Sequence, residues 1–280
     1  MMQNRLTLKL LLPNPKAPDV AWQAFLLFPP KHREANSLKI IPVMDILNGA
    51  VVHAVRGNRK EYQPLKSSLV NSAEPLAVAS AFRAFGFKKL YVADLDAILG
   101  NGKNFSVLKQ ITDKTGLSLM VDAGVADLET AHELFGSNVS KVIIGTETLP
   151  NLNILKNAID YFGNEKVVVS LDLKGGKVLS KSRSASSMNP LELARELRMI
   201  GVAEIILLDL ARVGSGEGVD FALLKEILGV FNGRVIVGGG VRSVNDLSAL
   251  RDMDIYGVLL ATALHSGKIT VQDLRGANLL

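Results

Sequence analysis

The chain has 280 residues, 48% of them apolar but only 5% aromatic, and a formal net charge of +5. That length makes one large domain or two ordinary ones. The mild charge comes without a basic stripe carrying aromatics, which argues against a nucleic-acid partner, and no apolar run reaches the roughly 18–20 residues of a membrane span.

Cysteine is absent, so disulfides and thiolate metal sites are excluded, which fits a cytoplasmic protein. Residues 1–37 differ from the rest. Arg5, Lys9, Lys16, Lys31 and Arg33 are balanced there only by Asp19 and Glu34, and the stretch is proline-rich without a sustained period. It lacks the apolar core and cleavage site of a secretory signal. It reads as an N-terminal extension, disordered or the product of an upstream start codon.

From Leu38 a regular alternation begins. The runs "LKIIPVMD", "KLYVADLD", "LSLMVDAG", "KVIIGT", "KVVVSLD", "EIILLDL", "RVIVGGG" and "YGVLLAT" predict eight strands. Amphipathic segments lie between them, such as "LAVASAFRAFG", "ETAHELFG", "PLELARELRMIG" and "VNDLSALRDM". Several end in glycine, as helix C-termini do. Strand–helix alternation with β-branched runs predicts a parallel sheet, and eight such units match a closed (β/α)₈ TIM barrel of about 250 residues. The barrel is expected over 38–268, followed by a C-terminal tail over 269–280.

The chain repeats itself. "PVMDILNGAVVHAVR" and "VSLDLKGGKVLSKSR" pair Asp45 with Asp172, Gly49 with Gly176 and Arg56 with Arg183 at one offset. The other strands pair likewise, second with sixth, third with seventh and fourth with eighth. The barrel is therefore read as two (βα)₄ half-barrels, with Asp45 and Asp172 facing each other across one mouth.

Both aspartates end their strands on the face where barrel active sites lie. Two opposed carboxyls suit acid–base catalysis if their surroundings keep one protonated and one ionised. A turn or capping role is the plainer alternative for either one. The turns after strands seven and eight, with Gly239, Gly240, Ala261 and Thr262, are the expected phosphate site. In the first half Gly124, Gly145 and Thr146 occupy the equivalent places, although Asp122 would repel an anion there. Arg56 and Arg59 in the first loop, and Lys181 and Arg183 in the fifth, are candidate anion contacts on lids. His32, His53, His132 and His265 show no metal-ligand spacing, so neither metal nor cofactor is expected. The expected partner is a phosphorylated small molecule, and the oligomeric state is left open.

With "IPxxDxxxGxVV" on strand one, "SLDxxxGxV" on strand five and "GGGV" on strand seven, the sequence resembles the histidine-biosynthesis isomerase/cyclase family from about Lys39 to Gly267. The resemblance implies a cofactor-free, metal-free Amadori rearrangement of a bis-phosphorylated ribosyl aminoaldose to its aminoketose. It casts Asp45 and Asp172 as the acid–base pair. It gives one phosphate to Gly239, Gly240 and Thr262, and the other to Gly145 and Thr146. Three departures stand out: Leu208 precedes Asp209, the first-half turn reads "DAGVA", and Ala261 and Thr262 close strand eight. The runs "YVADLDAI", "VIIGTET" and "LDLARVGSG" look closer to a paralogous branch, similar to proteins of methanogens and methylotrophs, for which another phosphorylated metabolite, in one-carbon carrier biosynthesis, is the alternative. A non-catalytic phosphate-binding barrel is a second alternative.

Overall fold

Each of the eight expected runs forms a strand, and each pairs in parallel with the next. The structure, a computed structural model, describes residues 38–280; the extension expected over 1–37 lies outside the described residues. The barrel strands are β1 (Lys39–Leu47), β2 (Lys89–Asp94), β3 (Ser118–Asp122), β4 (Lys141–Gly145), β5 (Val167–Lys174), β6 (Glu204–Asp209), β7 (Arg234–Gly238) and β8 (Gly257–Leu260). β8 pairs back onto β1 with Lys39 opposite Gly257 and Pro42 opposite Leu260, which closes the barrel.

The pleat alternation explains why the runs are apolar almost throughout. Ile41, Tyr91, Met120, Ile143, Val168, Ile206, Ile236 and Leu259 point inward and fill the barrel. Their sequence neighbours, such as Ile40, Leu90, Leu119, Val142, Val169 and Val258, point outward into a second core under the helices. A strand covered on both faces has no position left for the polar half of an alternating pattern. The same alternation carries Asp45, Asp122, Asp172 and Leu208 into the pocket at the C-terminal ends of their strands.

The helices start and stop as their sequences require. Glu74 caps helix Pro75–Phe85 by accepting from the amides of Leu76 and Ala77, with proline in the first turn. Asn189 and Glu192 form a capping box on helix Pro190–Ile200. Gly86 and Gly201 end these two helices in the left-handed conformation. Two helices not singled out in the sequence, Leu95–Leu99 and Phe105–Thr115, lie between β2 and β3. The second buries only Leu108, Ile111 and Thr115, too thin an apolar stripe to stand out.

Residues 269–280 are not a tail. They carry helix Val271–Gly276, and Ile269 and Leu274 are wholly buried in the outer core. The first loop is likewise more ordered than a lid. Ala50–His53 folds back antiparallel on β1 with Val52 opposite Asp45, and Gln63–Pro64 extends the ribbon. Among the described residues no helix is long and apolar enough to cross a membrane.

Candidate active site

A cavity of ≈ 320 Å³ opens at the C-terminal end of the barrel. Asp45, Asp122, Asp172 and Glu147 line its β1–β5 side, and Leu208, Gly239, Gly240, Thr262 and Lys268 line its β6–β8 side.

Asp45 follows Ile41 and Val43 on the inward row of β1. Its carboxyl accepts no hydrogen bond among the described residues, and burial pushes it up to about 7 against the opposing charge of Arg59. Asp172 follows Val168 and Ser170 on the inward row of β5, with Lys174 beyond it on the cavity wall, and is tightly held. Ser170 Oγ donates to one oxygen at 2.6 Å and the Glu147 amide to the other at 3.0 Å. Its pKa is also pushed up to about 7, by burial and then by the charge of Asp122, against those two donors. Asp122, 8% exposed, accepts from the Gly124 amide at 3.0 Å through Oδ1. Burial raises it to about 6. Three carboxyls in one cavity thus titrate near neutrality, where each can both give and take a proton.

Tyr91 stands on β2 one inward position below Ala93, 5% exposed and on the cavity wall. Its hydroxyl has no hydrogen-bond partner among the described residues. Burial, then the charges of Asp122, Asp45, Asp172 and Glu147, raise its pKa well above the ordinary tyrosine value.

On the opposite side Gly239 and Gly240 have φ of +91° and +90°. A Cβ at 239 would lie 2.7 Å from the Asp209 carbonyl oxygen, and one at 240 would lie 2.3 Å from that of Gly218. Only glycine fits these positions, whichever anion the turn serves. The amides of Gly240 and Thr262 donate to no other group among the described residues, and amides left free in such a turn are anion donors. Thr262 Oγ1 and His53 Nε2 are 3.4 Å apart.

The cavity therefore gathers Asp45, Asp172, Arg59, Gly239, Gly240, Ala261 and Thr262 from the residues singled out in the sequence. It does not gather the others. Thr146 is wholly buried; its amide donates to the Ser170 carbonyl at 2.9 Å, and its hydroxyl accepts from the Asp172 amide at 3.0 Å. The hydroxyl in turn donates to Asp172 Oδ2 at 3.4 Å, so Thr146 has no free donor for a phosphate. Gly145 lies beneath Asp122 and Asp172, and the Gly124 amide is taken by Asp122. The first-half phosphate site expected at Gly124, Gly145 and Thr146 is thus closed by internal hydrogen bonds and lined with carboxyls. Arg56 is exposed and pairs with Glu217 at 2.9 Å, tying the first loop to the sixth. Lys181 and Arg183 are exposed and stand off the cavity wall. Arg59 alone of the four cations reaches the cavity, where Glu147 already holds it at 2.7 Å.

Tyr91, Glu147 and Lys268 were not singled out in the sequence, and Asp122 was read only as a repulsion. The repeat held a signal for Asp122: its counterpart in the second half is Gly238, the first glycine of the three.

Comparisons with known proteins agree with this architecture. A family model described as histidine biosynthesis protein matches residues 39–270. An uncharacterized protein of Methanocaldococcus jannaschii is 36% identical over 240 residues, 85% of this chain and 97% of that one. A Methanosphaera stadtmanae protein is 33% identical over 235 residues, 84% and 97% of the two chains. One from Bacillus cereus is 30% identical over 239 residues, 85% and 97% of the two chains. The last two are named as isomerases of a doubly phosphoribosylated imidazole-4-carboxamide. With a match that spans the barrel from its first strand to beyond its eighth, the chain belongs to the histidine biosynthesis protein family.

Proposed function

We propose that this chain is a cofactor-free acid–base isomerase of a phosphorylated, ribosyl-type aminoaldose, converting aldose to ketose by an Amadori rearrangement. One observation carries the reading: Asp45 and Asp172 project from symmetry-related strands into one cavity, and both carboxyls titrate near 7. In such a rearrangement an acid protonates the sugar ring oxygen as the ring opens to the iminium. A base then takes the proton from C2, and the resulting enaminol tautomerises to the ketose. One aspartate must start protonated and the other ionised, and near pH 7 that combination is well populated. The relatives' printed names support this chemistry at the level of the family. The substrate phosphate is placed against Gly239, Gly240 and Thr262, with Lys268 nearby.

The test is turnover of the relatives' aminoaldose by the purified chain, beside Asp45→Asn and Asp172→Asn. Turnover lost in both folded variants supports the reading, and turnover kept in either sinks it. A second reading, a paralogous enzyme of another phosphorylated metabolite, is favoured by one observation. The first-half turn that would hold a second phosphate has its donors occupied and Asp122 beside them. A folded wild-type chain inert on the bis-phosphorylated aminoaldose would support that second reading.

A further inference from the structure

Asp45 and Asp172 are related by the repeat, but their surroundings are not. Ser170 stands one inward position below Asp172 on β5, and its counterpart below Asp45 on β1 is Val43, at the same offset that pairs the two aspartates. Ser170 is wholly buried, with Gly145 and Ile206 beside it in register. A hydroxyl in so apolar a layer is unfavourable unless it is bonded. Its one hydrogen bond among the described residues goes to Asp172 Oδ1 at 2.6 Å. The other oxygen, Oδ2, accepts from the Glu147 amide at 3.0 Å and from the Thr146 hydroxyl at 3.4 Å. Both oxygens of Asp172 are thus engaged, whereas the Asp45 carboxyl accepts no hydrogen bond among the described residues.

The repeat is broken a second time, with the opposite sign. Asp122 and Asp172 reach over the same glycine: a Cβ at Gly145 would lie 3.2 Å from Asp122 Oδ2 and 3.1 Å from Asp172 Oδ2. The counterpart of Asp122 is Gly238, so Asp45 has no such carboxyl two strands away. A like charge disfavours the ionised form of a carboxyl, and a hydroxyl donor favours it. Glu147 beyond β4, Lys174 on β5 and Arg212 after β6 also line the cavity around Asp172, with Asp45 and Tyr91 across from it. Asp209 engages Arg212 at 3.0 Å, and Glu147 engages Arg59 of the first loop at 2.7 Å. Burial and Asp122 push Asp172 up to about 7 against the Ser170 bond, level with Asp45 at about 7.

We propose that Ser170 is a positioning residue of the acid–base pair: it fixes Asp172 in one orientation across from Asp45 and offsets the repulsion of Asp122, so that Asp172 stays able to ionise beside a second carboxyl. This rests on the reading of the cavity as an isomerase site.

The experiment follows the aspartate carboxyl carbons of the full chain by NMR as pH is raised, with the two signals assigned through Asp45→Asn and Asp172→Asn. It needs no substrate. In Ser170→Ala the Asp172 midpoint should rise by about one pH unit, a tenfold change in its ionisation equilibrium, while Asp45 moves less. Ser170→Thr, which keeps a hydroxyl, should return the midpoint toward the wild-type value. Val43→Thr, which gives Asp45 the hydroxyl it lacks at nearly unchanged volume, should lower the Asp45 midpoint. An Asp172 midpoint that stays put in folded Ser170→Ala overturns the proposal, as does one left at the Ala value in folded Ser170→Thr. If Ser170→Thr does not fold, Val43→Thr is the control, and an unmoved Asp45 midpoint there overturns the proposal. With the relatives' aminoaldose, one limb of the pH–rate profile should shift upward in Ser170→Ala together with the Asp172 midpoint. A shifted midpoint with an unshifted profile would reduce Ser170 to a structural contact. A folded wild-type chain inert on that compound counts against the isomerase reading alone, because the carboxyl titration decides what Ser170 does to Asp172 without it.

Discussion

Asp122 and Asp172 both reach over Gly145, into room that a side chain there would take. A Cβ at Gly145 would lie 3.2 Å from Asp122 Oδ2 and 3.1 Å from Asp172 Oδ2. The backbone of Gly145 lies outside the left-handed region, so conformation does not demand a glycine here; the space between two carboxyls does.

Gly145→Ala is therefore expected to fold, at a cost of about 1–2 kcal/mol from overpacking. Its added methyl crowds both carboxyls and removes them further from water. Their pKa values should rise, because desolvation disfavours the charged form. The limb of the pH–rate profile that reports the ionised base should move upward in pH, with kcat near neutrality down about tenfold. A profile that does not shift would show that the gap at 145 has no part in tuning the pair.

The same desolvation sets a cost in stability. Asp45 holds a proton up to about 7 in the folded chain, while its unfolded value is 3.8. Between these pH values the folded state binds more protons than the unfolded one, so this group's contribution to stability falls as pH rises from 4 to 7. Asp45→Asn removes the group. It should raise stability at pH 8, by up to a few kcal/mol, and leave it nearly level at pH 4, while turnover is lost. Thermal denaturation of both proteins at the two pH values checks this. An Asn variant less stable than wild type at pH 8 would mean that the Asp45 charge is welcomed by Arg59 rather than tolerated.

His265 acts in the opposite sense. It is 4% exposed, packs on Phe82, has Nδ1 2.9 Å from Ser67 Oγ, and its pKa is lowered to about 4, chiefly by burial. The unfolded chain takes up the proton near 6.5, and the folded one resists it until about 4. Stability should therefore drop as pH falls through that window, by on the order of 3 kcal/mol. In His265→Gln, which can still bond Ser67, urea unfolding at pH 7 and at pH 5 should differ by less than in wild type. An equal difference in the two proteins would assign the acid sensitivity elsewhere.

These groups differ in how far the sequence revealed them. Asp45 and Asp172 were legible because the repeat singles them out at one offset, and the strands because a buried parallel barrel makes both faces apolar. Tyr91 was not legible. A tyrosine in a strand is ordinary, and only the register that sets Ala93 beside Asp122 and Asp45 shows what lies above it. Thr146 misled for the converse reason: its residue type suits a phosphate, but its amide and hydroxyl are already bonded within the barrel. The stretch 269–280 follows the eighth strand and is too short to show a sustained helical period, so it reads as a tail, although Ile269 and Leu274 are fully buried.

The far end of the barrel carries a second set of inward charges, and its removal should separate stability from activity. Lys141, Glu204 and Arg234 each begin a strand, at the N-terminal end and opposite the cavity. Glu204 is 1% exposed; its Oε2 accepts from Lys141 Nζ at 2.6 Å and from Arg234 Nε at 2.8 Å, while Oε1 has no partner. Arg234 also pairs with Glu165 and stacks over Tyr256 at 5.4 Å. Glu204→Gln leaves two cations facing a neutral amide in a closed space, and breaking a buried pair from one side costs about 3–5 kcal/mol. The variant should unfold at markedly lower denaturant concentration. Its folded fraction should keep the wild-type KM and the wild-type pH–rate profile, since nothing in the cavity touches Glu204. A changed pH profile would mean that charge at the bottom of the barrel reaches the aspartates at its mouth, and that the two ends are one electrostatic unit.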